Sequence, residues 1–314
     1  MKDPAQTSQV AATGTGMAGP KPVRVTGWRR FRRHVPAMVG LGIVVVFLIG
    51  TVFAPLITTY DPTRMELSDA LLTPTAGHPL GTDHLGRDIL ARILHGARYS
   101  LLIGLLAVTV GMAVGVPLGL VSGYYGRWVD MTIQRLADAL FAFPTGLLAL
   151  ALVAVLGASI RNVVIAVGVS LIPSFIRLVK GSVLVIREQV YVEAARAIGA
   201  SDVRILIRHV LANAWGPIIV HATVSLGITI LISAGLGFLG LGVQSPTPEW
   251  GTMLGEGRRY LSSHPHMMTF PGLAIFLAVL AFNLVGDRLR DTLDPQVRSH
   301  LVDGVGPATQ AVPP

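Results

Sequence analysis

The sequence predicts an all-α membrane protein that crosses the bilayer six times. Only 13% of the 314 residues are charged, about half the share found in a soluble domain. The mean hydropathy is +0.62, and uncharged stretches as long as a membrane span recur along the chain. The chain has no cysteine, which excludes a disulfide-stabilised scaffold and a thiolate metal site.

Six stretches meet or approach the length of a span. A helix needs about 20 mostly apolar residues to cross the hydrocarbon, because the bilayer offers the backbone no water. The fifth stretch, 210–248, is too long for one span, so we expect a helix near 217–242 followed by a loop. The fourth stretch, 162–176, is short, but Arg161 and Arg177, which flank it, can reach the membrane surface. The other four predicted spans are 37–57, 99–126, 139–160 and 267–286.

The distribution of basic residues predicts the orientation. The 25 lysines and arginines gather before the first span and between the fourth and fifth spans. Because basic loops stay on the cytoplasmic side, we expect both termini in the cytoplasm. The net charge of +8 is then explained without nucleic acid as a partner.

The same pattern divides the chain into five regions. The first span begins too far along the chain for a cleaved signal peptide, so we interpret it as a retained anchor. Composition predicts disorder in the first tail, which is rich in Gly, Thr, Pro and Ala. The regions are 1–27, a disordered cytoplasmic tail; 28–58, with the first span; 59–98, an external loop with a short amphipathic helix; 97–287, the transmembrane core; and 288–314, a cytoplasmic tail.

Nucleotide binding by this chain is not predicted. Gly-x-Gly-x-x-Gly patterns begin at Gly14 and Gly235, but one lies in a polar tail and the other in a predicted span. Neither has the strand before it that such a motif requires. No lysine follows a glycine, as a phosphate-binding loop needs. We expect no cofactor in this chain.

A group of histidines and acids before the second span leaves two interpretations open. His78, Asp83, His84 and Asp88 could ligate a metal, although their spacing is not that of a known ligand set. Alternatively, Asp83 caps a helix and Asp88 pairs with Arg92 one helical turn away. We assign no metal site.

The second predicted span has a glycine at every fourth position, on one helix face. Such a stripe allows another helix to pack at close range in lipid. The glycines are Gly111, Gly115, Gly119 and Gly123.

The connection between the fourth and fifth spans, 180–215, is basic and amphipathic. Three alanines favour a short helix, Gly199 can end it in a left-handed conformation, and Ser201 or Asp202 can cap a second helix. This pattern predicts a helix–turn–helix that enters a groove of a partner. The alternative is a helix that lies on the lipid surface. The alanines are Ala194, Ala195 and Ala197.

These residues resemble a known family. Glu193-Ala194-Ala195 with Gly199 is similar to the EAA loop of ABC importer permeases, which docks on the ATPase subunit. Residues 78–88 resemble the signature of dipeptide, oligopeptide and nickel permeases of the C type. Residues 237–251 and 270–291 are similar to the fifth and sixth spans of that group, and the likeness covers about 28–298. Two departures are Ala212 after Leu211, where the family usually has Leu-Pro, and Ser245, where a proline is common.

The resemblance implies a type I ABC importer permease fold in the bacterial inner membrane. The expected partners are a B-type permease in a heterodimer, two ATP-binding subunits that hold ATP-Mg, and an extracytoplasmic solute-binding protein. The chain itself is expected to be non-catalytic. The coupling loop is 188–216, and its expected contact residues are Glu193, Ala194, Ala195, Arg196, Gly199 and Asp202.

Two polar residues are candidates for the translocation pathway. Asp138 and Asn283 lie in or near predicted spans, where polar groups usually face an interior; an ion pair of Asp138 with Arg135 explains the first equally well. The expected cargo is a dipeptide or oligopeptide, with nickel or another small solute as the alternative.

Two other classes of membrane protein remain as competitors. A stand-alone secondary transporter or channel predicts inverted repeats and paired acids at mid-membrane, and the sequence has neither. A membrane-anchored scaffold or receptor needs no coupling loop.

Overall fold

The computed structural model describes residues 34–293, which are helical apart from connecting loops. Within this range the only strand-like pairing is an isolated antiparallel bridge between Thr82 and Asp88. The predicted disordered tail 1–27 and most of the tail 288–314 lie outside the described residues. The main helices are α1 (Val35–Val52), α2 (Ile89–Tyr125), α3 (Arg127–Phe141), α4 (Thr145–Leu156), α5 (Ile160–Ile186), α6 (Val190–Ala197), α7 (Asp202–Phe238), α8 (Trp250–Gly257) and α9 (His266–Leu293).

Five of these helices are long and apolar enough to cross a membrane, and the number rises to six if one bent pair crosses as a single span. The five are α1, α2, α5, α7 and α9, and the pair is α3 with α4, which meet at 83°. Pro144 occupies the N-cap of α4. Because proline lacks a backbone N–H and restricts the residue before it, the chain turns at this point. The all-α, membrane-spanning prediction is confirmed.

The third, fourth and fifth spans differ from their predicted bounds. α4 has 12 residues, so the predicted span 139–160 is shared with the end of α3. α5 continues past Arg177 to Ile186, because Val179 and Val183 of this extension are buried against Gly119 and Gly123 of α2. α7 begins at Asp202, well before 217, because Ile205 and Val210 are buried in the core of the bundle. A π-helical stretch, Ile205–Leu211, joins its first turn to the long apolar part.

The loop before α2 holds one short helical element. Residues Leu67–Asp69 form a 3-10 turn, and the amphipathic segment 89–98 is the beginning of α2. No separate amphipathic helix lies between 59 and 88.

The glycine stripe of α2 packs against α5, as predicted. The two helices run parallel and in register: a Cβ at Gly115 would lie 2.5 Å from Cβ of Phe175, and one at Gly119 would lie 2.7 Å from Cβ of Val179. Gly168 of α5 approaches Val110 in the same way. Helices this close gain van der Waals contact that lipid cannot supply.

We call the end of the bundle at which α8 lies the α8 end. Two arginines and two acids form a largely buried group of charges there. Arg87 and Arg92 are fully buried. Nε of Arg87 lies 2.6 Å from Oδ2 of Asp83, and both guanidinium groups donate to Oε2 of Glu256, at 2.8 and 3.1 Å. Two cations and two anions balance, which makes their burial tolerable. They join the loop before α2 to α8.

Asp88, and not Asp83, caps α2. Its side chain accepts from the backbone N–H of Ala91 at 2.7 Å and lies 2.9 Å from Nδ1 of His78. Asp83 instead pairs with Arg87. Arg92, which was expected to pair with Asp88, lies 3.6 Å from Asp83 and 3.1 Å from Glu256. Tertiary contacts with α8 therefore replaced the local pair.

Glu249 caps α8 in a similarly buried position. Its carboxylate accepts from the backbone N–H groups of Gly251 and Thr252 and from Oγ of Ser100. Burial raises the pKa of the Glu249 carboxyl, and these hydrogen bonds oppose the rise.

We predict that Gly115→Ala destabilises the protein while Gly181→Ala does not. The added methyl group at 115 meets Cβ of Phe175 and the carbonyl oxygen of Ile172, and such overpacking costs about 1–3 kcal/mol. Gly181 lies on α5 with no atom near its Cβ direction, so it is a matched control. Thermal denaturation of the detergent-purified protein should show a lower Tm for the first variant only. Equal Tm values would contradict the close contact.

Candidate functional site

The short helix α6 stands at the end of the bundle opposite to α8, called the α6 end. Val192 and Ala195 are buried and pack in the same core cluster as Val183, Ile205 and Val210. The opposite face is exposed. It presents Glu193, Ala194, Arg196, Ala197 and Gly199.

Gly199 ends α6 with the geometry of a Schellman cap. The N–H of Ala200 donates to the carbonyl of Ala195 at 3.0 Å, and that of Gly199 to the carbonyl of Arg196 at 2.9 Å. This pattern needs a left-handed residue, and Gly199 has φ +82°. No atom lies within 4 Å of the position of a Cβ, so conformation, not space, requires glycine. The predicted left-handed cap is confirmed.

The second helix of the predicted helix–turn–helix is the beginning of α7. Ser201 occupies its N-cap position, with no hydrogen bond from its side chain. The carboxylate of Asp202 instead accepts from the hydroxyl of Tyr124 at 2.7 Å. The sequence offers no signal for this pairing, because the two residues are far apart in the chain.

Tyr124 and Arg187 join the α6 region to the end of α2. The guanidinium of Arg196 lies 5.2 Å from the centre of the Tyr124 ring. Nη1 of Arg187 donates to the carbonyl of Gly123 at 2.9 Å. α6 is therefore held by apolar packing on one side and by these polar contacts to α2 on another.

The exposed surface around α6 has apolar and charged parts. Ile198, at the turn, is 86% exposed, and the side chain of Glu193 has no hydrogen bond or ion pair with any described residue. Ala195 differs from the other predicted contact residues because it is 6% exposed and packs inward. Large exposed apolar side chains are typical of surfaces that bind another protein. They are Val190, Ile198, Val203 and Ile207.

The two candidate pathway residues lie in different surroundings. Oδ1 of Asp138 is 2.7 Å from Nη2 of Arg177, and both side chains are about half exposed. Arg135, the expected partner, forms no ion pair with any described residue. Asn283 is half-buried between α9 and α7, where a Cβ at Gly227 would lie 3.6 Å from its Nδ2. Asn283 is thus placed at a contact between helices.

One group of possible metal ligands exists among the described residues. Ligand atoms of Asp83, His84 and Glu256 lie within 4.8 Å of one another. Both carboxylates are already paired with Arg87 and Arg92, so a cation would displace existing partners. His84 also stacks on Tyr260, with ring centres 5.7 Å apart. This donor set does not fit a metal ion.

Comparison with known families gives two matches. Residues 115–299 match the family described as binding-protein-dependent transport system inner membrane component. Residues 25–74 match the N-terminal TM domain of oligopeptide transport permease C.

Curated relatives cover most of the chain. The dipeptide transport system permease protein DppC of Alkalihalophilus pseudofirmus is 47% identical over 279 residues, which are 88% of this chain and 92% of the relative. The glutathione transport system permease protein GsiD of Escherichia coli is 49% identical over 272 residues, 86% of this chain and 90% of the relative. The same protein of Pectobacterium atrosepticum is 49% identical over 275 residues, 87% of this chain and 91% of the relative.

A solved structure has the same fold. A chain of the inward-facing MetNI methionine ABC transporter aligns with a TM-score of 0.53 at 19% identity, over 65% of this chain and 96% of that one. The family match extends over more than half of the sequence, and the curated relatives agree along nearly its whole length. This chain therefore belongs to the family of binding-protein-dependent transport system inner membrane components, the permease subunits of ABC importers.

Proposed function

We propose that this chain is the C-type permease subunit of an ATP-driven importer of dipeptides or oligopeptides, and that α6 couples it to the ATPase. The observation that supports coupling is the exposed face of α6, held rigidly to α2 and α5 and ended by Gly199. A fixed element can transmit motion of an attached subunit to the spans. Glu193, Ala194, Arg196 and Gly199 form the contact, and Ala195 and Asp202 hold α6 in place.

The partners follow from this role. A B-type permease completes the pathway, two ATPase subunits bind ATP-Mg at the α6 end, and a solute-binding protein delivers cargo at the α8 end. The α6 end then lies in the cytoplasm with both termini. The basic residues of the α6 region, such as Arg196, Arg204 and Arg208, support this orientation in a bacterial inner membrane.

The relatives favour a peptide as cargo. One is named a dipeptide permease and another a glutathione permease, and glutathione is itself a tripeptide. Uptake of labelled dipeptide by vesicles that contain the whole importer tests this. Competition by unlabelled dipeptides supports the proposal, whereas uptake of nickel without competition by peptides supports the alternative.

Substitution at Gly199 should separate conformation from size. Gly199→Val forces a β-branched residue to φ +82°, at a cost of about 1–3 kcal/mol, so transport and transport-linked ATP hydrolysis should fall by about tenfold or more. Gly199→Asn is the matched control, because asparagine tolerates this conformation and no neighbouring atom obstructs it. It should retain most of the activity.

Both variants should insert normally into the membrane. Normal transport by Gly199→Val would contradict the coupling role.

Removing the Tyr124 hydroxyl should weaken coupling without unfolding the protein. Tyr124→Phe deletes one hydrogen bond to Asp202, worth about 0.5–1.5 kcal/mol, and keeps the ring beneath Arg196. We expect a fall of about two- to tenfold in stimulation of ATP hydrolysis by the loaded binding protein. The neighbouring Tyr125→Phe is the control, since its hydroxyl has no partner among the described residues. An equal effect of both substitutions would show that the Asp202 contact has no special part.

A further inference from the structure

Three polar contacts connect α5 to its neighbours near the α6 end. Lys180 lies 2.6 Å from Asp130 of α3, Arg177 lies 2.7 Å from Asp138 of α3, and Ser174 lies 3.2 Å from Nε2 of His221 on α7. These residues follow one another along α5 at intervals of three.

One narrow face of α5 is polar or small. At about 100° per residue, positions 170, 174, 177 and 181 lie within about 60° of one another. They are Ser170, Ser174, Arg177 and Gly181. Exposure rises along this face, from buried Ser170 to exposed Arg177 and Gly181. We call Ser174, Arg177, Asp138 and His221 the polar groove.

The polar groove lies at the depth of the hydrocarbon. Because α2 and α5 pack in register, Arg177 is level with Pro117. Pro117 is about 7 Å from the middle of the uncharged stretch 99–126, and Arg177 is about 12 Å from the middle of 162–176, at a rise of about 1.5 Å per residue. Both distances are less than half of a hydrocarbon core about 30 Å thick.

A half-exposed ion pair at this depth is costly beside lipid, so a neighbour of protein or water is favoured. Charged side chains within a membrane face a protein interior or water, because lipid cannot solvate them. An arginine alone could extend to the membrane surface, but the Arg177 guanidinium turns to Asp138 and lies 4.0 Å from the centre of the Phe141 ring. The short side chain of Asp138 has no such reach.

We propose that the polar groove lines a water-filled section of the translocation pathway near the α6 end. Arg177 and Asp138 form its wall, and Ser174 and His221 continue it one turn deeper. Arg177 becomes a pathway residue that sequence reasoning did not single out. The inference rests on the proposed function, because a pathway exists only in a transporting complex.

Cysteine labelling tests this directly, because the native chain has no cysteine. Arg177→Cys removes one charge of the pair. Ala142→Cys lies one turn beyond Asp138, at an exposed position, and keeps both charges. Ile219→Cys is the matched control: Ile219 is 45% exposed and lies near the level of His221, on the other side of α7. The whole importer is assembled in inside-out vesicles and treated with a charged, membrane-impermeant thiol reagent.

We expect positions 142 and 177 to react at least about tenfold faster than position 219, since such reagents need water. Saturating cargo should slow labelling at 142 several-fold. If both test positions react as slowly as 219, while all three thiols react after denaturation, the groove is sealed by protein and the inference fails. Fast labelling that cargo does not change also overturns the pathway role. Transport by the unsubstituted importer is measured first, so that failure of the proposed function is recognised separately.

Discussion

The in-register contact between α2 and α5 is the interaction on which the rest of the structure depends. Each glycine of the α2 stripe lies against a side chain or carbonyl of α5, so the two backbones approach each other closely. Where this contact ends, Gly123 and Tyr124 of α2 lie beside Arg187 and Asp202.

Among the described residues, ion pairs between separate elements occur at both ends of the bundle. At the α8 end, two buried arginines pair with buried Asp83 and partly buried Glu256, and these pairs connect the loop before α2 to α8. At the α6 end, the ion pairs between α3 and α5 are more exposed. Balanced, buried pairs resist rearrangement because breaking one leaves an uncompensated charge.

Residues 188–216 illustrate how far local sequence determines a site. The alanines and Gly199 predicted a short helix and its left-handed end, and both occur as expected, because helix propensity and glycine conformation are local properties. Which face of α6 is exposed was not predictable. Val192 and Ala195 are buried because α5 and α7 cover them, and that arrangement is set by distant parts of the chain.

The sequence by itself determined the membrane class, the glycine contact and the family, since each follows from composition, periodicity or a contiguous motif. The tertiary structure decided how far α5 extends past Arg177 and which partners Asp138 and Asp202 take. The partners depend on residues far apart in sequence that meet only after the helices pack. The carboxylates of Asp138 and Asp202 therefore pair with side chains that the fold brings near, Arg177 and Tyr124.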